Sequence, residues 1–287
     1  MTPVDGLLAD HVEQRFDGYV FDLDGTLYLG DALLPGAREA VLALREAGSR
    51  TVFLTNKPLE RPADYAAKLE RLGIPATAAD VVSSTDALLG YLGRNAPGAR
   101  LYPVAEPLLW DLLGEAGWEL TDEPARIDVV VVSFDRTFDY AKLQIAFDAV
   151  RAGARIVATN PDAWCPVPGG GLPDCAAMLA AIEACSGGTA EAIVGKPSRH
   201  MAATLLDRLA LVADRTLLVG DRLATDIRMA VDAGMASALV LSGATTRAEA
   251  AASAIQPRYV LDRVDAVVPS DLRRPDATNP DQPPTPR

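Results

Sequence analysis

Short apolar runs recur along the chain, and several of them stop abruptly at polar residues. Tyr19-Val20-Phe21 leads into Asp22-Leu23-Asp24-Gly25-Thr26, residues 50–54 lead into Thr55-Asn56-Lys57, and Thr216-Leu217-Leu218-Val219 leads into Gly220-Asp221. Continuous apolar runs of this length, bounded by turn residues, predict strands buried on both faces, as in a parallel sheet. Between the first runs the apolar period changes. Ala40, Leu44 and Ala47, and then Tyr65, Leu69 and Leu72, recur at helical spacing; Pro35-Gly36 and Pro62 introduce the two stretches, and Gly48 and Gly73 stop them. This β-α-β-α alternation predicts parallel strands joined by right-handed crossovers.

Pro and Gly punctuation at 93–99 marks a break, after which a separate α/β unit is expected. Its strands are predicted at 100–104, 129–132 and 155–158, and its helices at 108–115, 140–150 and 175–185. Residues 165–174, rich in Pro and Gly, are expected to form a loop. Further strands are expected at 216–219, 238–241 and 259–261, with helices ending near 209 and 233. The expected architecture is α/β: a doubly wound parallel-sheet core of residues 18–92 and 190–268, with an inserted α/β domain at 93–189. Residues 1–17 and 269–287 are expected as flexible ends, the latter because it is rich in proline and polar residues.

Composition narrows the function classes. The 287 residues are 49% hydrophobic, enough for a sizeable core. A net charge of −12 argues against nucleic-acid and anionic-membrane partners, which need a basic surface. The three cysteines, Cys165, Cys175 and Cys185, match no zinc spacing, so reduced thiols in a cytoplasmic protein are expected. Residues near the N-terminus are acidic where a signal peptide would be basic and then apolar, and no apolar run approaches membrane-spanning length.

Four strand ends or loops carry polar groups foreign to a core: Asp22 and Asp24, Thr55 and Asn56, Lys196, and Asp221 with Asp226. Singly, each has an ordinary reading as a helix cap, a turn or a solvated lysine. Together they suit phosphoryl transfer, which needs phosphate oxygens positioned and neutralised. Asp22 is the expected nucleophile and Asp24 the expected proton donor and acceptor. Thr55, Asn56 and Lys196 would hold the transferring oxygens. Magnesium, bound by Asp22, Asp221 and the Asp24 carbonyl oxygen, would relieve the clustered negative charge.

These motifs, in this order, resemble the four motifs of the haloacid dehalogenase superfamily, with Asp22-Leu23-Asp24-Gly25-Thr26-Leu27 first and Gly220-Asp221-Arg222-Leu223-Ala224-Thr225-Asp226 last. The second acid, Asp24, implies the phosphatase branch and not carbon–halogen hydrolysis. Little chain separates Asp22 from Thr55, whereas a whole α/β domain fits between Thr55 and Lys196. That layout resembles subclass IIA, which includes para-nitrophenyl, sugar and nucleotide phosphatases. The resemblance implies a Rossmann-like core, a cap formed by the insertion, and a supporting role for Asp226 at the metal. It leaves a homodimer through the cap as an expectation. A phosphotransferase or mutase, and a retired scaffold that only binds a ligand, are the alternatives. The chain departs from the pattern at Lys57, where many members have Asn, and Lys57 is expected to point into water. The cap should set specificity toward a small phosphate ester, with Arg136, Asn160, Asp162 and Trp164 as candidates. Their bland readings are a solvated charge for Arg136, a self-ordered turn for Asn160 and Asp162, and packing for Trp164.

Overall fold

The computed structural model describes residues 11–167 and 170–272. Its first sheet has six strands, all parallel, in the order Tyr259–Leu261, Ala236–Val240, Thr216–Gly220, Gly18–Asp22, Arg50–Thr55 and Val81–Ser83. The chain winds outward in both directions from the central pair, Gly18–Asp22 and Thr216–Gly220, whose register sets Phe21 beside Val219. Their carboxyl ends therefore lie at the switch point of an open α/β sheet, where a crevice forms.

Both central strands are buried along their whole length, as their unbroken apolar runs require. Helix Ala37–Glu46 buries a single stripe of Ala37, Ala40, Val41 and Leu44 against the sheet. Strand Val81–Ser83 and helix Ser84–Asn95 add an edge strand and a helix to the expected elements. The helix runs through the first residues of the expected break at 93–99. A local signal was present: Ser83 and Asp86 form a reciprocal capping box, with Asp86 accepting from the Ser83 N–H at 2.8 Å.

The second sheet, also parallel, orders its strands Ala190–Ile193, Arg155–Ala158, Val129–Val132, Arg100–Val104 and Glu119–Leu120. Ala190–Ile193 pairs with Arg155–Ala158, so the expected boundary at 190 falls inside this sheet, and the return to the first sheet comes after Ile193. The expected loop at 165–174 contains an antiparallel hairpin, Trp164–Val167 with Gly170–Pro173. The expected helix ending near 233 opens with a wide turn over Leu223–Ile227 before the α-helix Arg228–Asp232.

The loose N-terminal arm is also corrected over its described part. Val12 and Phe16 are buried in the first core, because both pack under the sheet as apolar anchors. At the other end Ser270–Leu272 forms a short turn, tied down by Arg15 to Asp271 at 2.7 Å. The remainder of both expected flexible ends, 1–10 and 273–287, lies outside the described residues.

Candidate active site

Asp22 is the last residue of its strand and is 7% exposed. The chain then turns at Gly25, whose φ of 87° favours glycine, and a side chain there would collide with the Asp221 carboxylate. Asp221 follows the neighbouring central strand directly, and Asp226 sits one turn later in the wide helical turn. Gly220 faces Asp226 so closely that a Cβ would overlap its carboxylate. The backbone is thus cut away where two carboxylates have to approach it.

Single ligand oxygens from Asp22, Asp221 and Asp226 all lie within 4.8 Å of one another, and all three residues are buried. Lys196 inserts among them. Its Nζ donates to Asp22 Oδ1 at 2.5 Å and to Asp226 Oδ1 at 2.7 Å. Burial disfavours the Lys196 ammonium, but Asp22 and Asp226 outweigh it and hold the group charged above the usual lysine range. Burial pushes the Asp22 carboxyl well above the ordinary range; Lys196 opposes the shift, and Asp226 and Asp221 reinforce it. Asp221 is pushed up to about 6, by burial first and by Asp226 second.

With all three carboxyls ionised, the single ammonium leaves two negative charges, the balance that a divalent cation removes. Asp226 is already fully engaged, since Oδ2 accepts from the Arg222 N–H at 3.1 Å while Oδ1 holds Lys196. Asp221 differs. Its Oδ2 accepts from the Ala244 N–H at 2.7 Å, whereas its buried Oδ1 has no hydrogen-bond partner among the described residues. An all-oxygen donor set with an orphaned carboxylate oxygen fits magnesium. Asp22 and Asp221 are the side chains that could hold it, with Asp226 held by Lys196 and Arg222.

A cavity of about 1090 Å³ opens over this cluster. Asp22, Asp24, Thr55, Asn56, Lys196 and Asp221 all line it, so the residues singled out from the sequence converge, except Asp226, which lies behind Lys196. Asn56 departs from its expected phosphate contact. Its Oδ1 accepts from the Lys196 N–H at 2.7 Å, and its Nδ2 donates to the Lys196 carbonyl at 3.2 Å and to Asp162 at 3.0 Å. The side chain is a strap between two loops, with its amide committed to protein groups.

The hairpin and its flanking residues also line the cavity, through Asp162, Trp164, Cys165 and Asp174. Trp164 is 57% exposed and so is not the packing residue that its bland reading made it. Trp110, by contrast, packs edge-on against Tyr102 at 5.7 Å between centroids. Arg136 and Asn160 do not line the cavity. The Arg136 guanidinium is paired with Glu106, and Asn160 is buried, accepting the Asp162 N–H at 2.9 Å to order its own turn.

Lys57 corrects the expectation of a solvent-facing lysine: its Nζ lies 3.0 Å from Asp24 Oδ2 and it lines the cavity. Its signal in the sequence was adjacency to Thr55-Asn56 at the end of a strand aimed at the site. Asp174 gave less. It is a 5% exposed carboxylate capping helix Cys175–Ser186, and burial raises its pKa.

A family model described as haloacid dehalogenase-like hydrolase matches residues 19–119, and a second model for hydrolases of this kind matches 193–267. Sugar-phosphatase AraL of Bacillus subtilis is 37% identical over 250 residues, spanning 87% of this chain and 91% of that protein. Dihydroxyacetone phosphatase of Corynebacterium glutamicum is 30% identical over 246 residues, or 86% of this chain and 88% of that one. The crystal structure of a 4-nitrophenylphosphatase from Thermotoga maritima superposes with a TM-score of 0.83 at 32% identity, covering 88% of this chain and 95% of its own. The chain belongs to the haloacid dehalogenase-like hydrolases, in the phosphatase branch grouped as subclass IIA. Among the described residues no helix is long and apolar enough to cross a membrane.

Proposed function

We propose that this chain is a magnesium-dependent phosphomonoesterase of the cytoplasm that hydrolyses a small phosphorylated metabolite through an aspartyl-phosphate intermediate. The observation that carries the reading is the buried cluster of Asp22, Asp221 and Asp226 around one lysine, at the floor of a cavity large enough for a small ester. Magnesium, when bound, supplies positive charge that draws the phosphate toward the cluster and lowers the repulsion met by an attacking carboxylate.

Asp22 attacks phosphorus, forming a carboxyl–phosphorus bond as the ester bond breaks and its electron pair stays with the alcohol oxygen. Asp24 gives that oxygen its proton. In the second half, Asp24 takes a proton from water while the water oxygen attacks phosphorus, and the electron pair of the breaking bond returns to Asp22. Lys196 keeps the Asp22 carboxylate oriented and offsets charge on the transferring oxygens. Thr55, 3% exposed at its strand end and lining the cavity, donates to one of them in this reading.

The inserted unit, through its hairpin at Trp164, serves as a cap over the ester's alcohol part, and a homodimer through this unit is part of the same reading. Relatives named for sugar and dihydroxyacetone phosphates make such esters the first to try. The test is phosphate release from para-nitrophenyl phosphate and a panel of sugar, glycerol and nucleoside monophosphates. Release that requires magnesium and is lost in Asp22→Asn supports the reading. Turnover that survives excess EDTA, or survives the substitution, overturns it.

A further inference from the structure

Three lysines line the cavity, and two of them, Lys196 and Lys57, contact different acids of the site. Lys196 is buried and divided between Asp22 and Asp226. Lys57 stands on the alcohol side, with Nζ 3.0 Å from Asp24 Oδ2 and each side chain about one-third exposed (34% and 37%). The base of Lys57 is fixed more firmly than a surface lysine requires. Its N–H donates to Thr55 Oγ1 at 3.1 Å, and its carbonyl accepts from the hydroxyl of buried Tyr65 at 3.1 Å. Thr55 belongs to the first sheet and Tyr65 to a helix packed on it, so the lysine stem leaves the backbone in a set direction toward Asp24.

Asp24 lies beyond the strand end, beside the Gly25 turn, where a bridge to Tyr28 holds its backbone; its carboxylate is held by the hydrogen bond from Lys57. A carboxyl group so placed is free to rotate away from the ester unless something holds one of its oxygens. We infer that Lys57 is a positioning residue: its ammonium holds Asp24 Oδ2 so that the other carboxyl oxygen faces the alcohol oxygen of the bound ester. The inference rests on the phosphomonoesterase reading and adds a residue to it. The proton still travels from Asp24 to the alcohol oxygen as the phosphorus–oxygen bond breaks, and Lys57 neither gives nor takes one.

An aimed acid matters in proportion to the need for it. Nitrophenolate leaves readily without a proton, whereas an alkoxide does not, so losing the aim costs alkyl esters more than aryl esters. A residue that merely supported the fold would lower both alike.

The experiment compares the wild type with Lys57→Met, which keeps the stem and removes the charge, and with Lys57→Arg. Each is assayed with magnesium on para-nitrophenyl phosphate and on the alkyl phosphate that the wild type hydrolyses fastest among sugar and glycerol phosphates. For Lys57→Met, kcat/KM should fall by about tenfold or more on the alkyl ester and by less than about threefold on the aryl ester, a fraction of the 10²–10⁴ worth of the whole proton transfer. Lys57→Arg should recover most of the loss, with melting temperature unchanged in both variants. Equal losses on the two esters, or none on the alkyl ester, overturn the role of Lys57 and leave the phosphomonoesterase reading standing. A wild type that cleaves only the aryl ester does the same, since it has no use for an aimed acid. A wild type that cleaves neither ester overturns both.

Discussion

The Lys196 ammonium lies 2.5 Å from Asp22 Oδ1, with the two side chains only 5% and 10% exposed. So deep a pair is not a stability device in itself, because desolvating both charges offsets much of their attraction. Its consequence is asymmetry: removing one partner strands the others. Lys196→Met leaves three buried carboxylates with no protein cation among them. The variant should lose about 3–5 kcal/mol of stability in EDTA at neutral pH, read by urea unfolding, and magnesium should restore part of it. A stability within 1 kcal/mol of wild type, against the ~3–5 kcal/mol expected, would show that the carboxyls take up protons once the ammonium is gone.

Asp22→Asn acts the other way. It removes one of three mutually repelling acids while leaving Lys196 paired with Asp226 at 2.7 Å. Phosphate release should fall to background, yet the metal-free variant should melt at or above the wild-type temperature. A folded, unstable and inactive protein would show that the nucleophile is also a structural anchor.

Magnesium should stabilise the native state, since its oxygens converge only when folded. At one hundred times its dissociation constant the gain is about 2.7 kcal/mol, visible as a rise in melting temperature. Asp221→Ala removes the orphaned Oδ1 and should abolish that rise. An undiminished rise would place the ion elsewhere.

The strand ends and their acids were legible because each motif is local: an apolar run, then a carboxylate, at the edge of a parallel sheet. Asp22 and Asp221 converge because they end or follow the two central strands of the first sheet, and Lys196 joins them from the segment that returns from the second sheet after Ile193. What was not legible depends on partners far away in the chain. Whether Asn56 faces phosphate or straps two loops is decided by Lys196 and Asp162, neither of which its neighbours foretell. Lys57 looked solvated for the same reason: Asp24 is distant in sequence and near only after folding. The hairpin at Trp164 was hidden by composition, since prolines and glycines weaken any strand signal. Gly171 is there because a Cβ would come within 2.5 Å of the Trp164 ring.

A pH effect on stability follows from Arg100 and Asp128. Asp128 accepts from the Arg100 side chain at 2.9 and 3.0 Å and from its N–H at 2.9 Å, which together lower its pKa to about 2. A folded pKa below the unfolded value of 3.8 means stability that is present above pH 4 and drains away as pH falls toward 2. With the carboxylate 42% exposed, solvent screening holds the contribution to about 1 kcal/mol or less. Asp128→Asn should therefore be weaker than wild type at pH 6, and the gap should narrow by pH 3. A gap independent of pH would assign the loss to packing instead.

Trp164 offers the sharpest probe of the alcohol side. Its ring is 57% exposed on a hairpin at the cavity wall, so the fold loses little when it is cut back. Trp164→Ala should change stability by no more than about 0.5 kcal/mol, as for other exposed substitutions. An aromatic face worth about 1 kcal/mol to a bound alcohol group would, when lost, raise KM roughly fivefold, while kcat, set at Asp22 and Asp24 on the other wall, stays within a factor of about two. Steady-state kinetics on the preferred ester separate the two parameters. An unchanged KM on every ester would remove Trp164 from substrate recognition, and a fall confined to kcat would tie the hairpin to closure of the site over the phosphate instead.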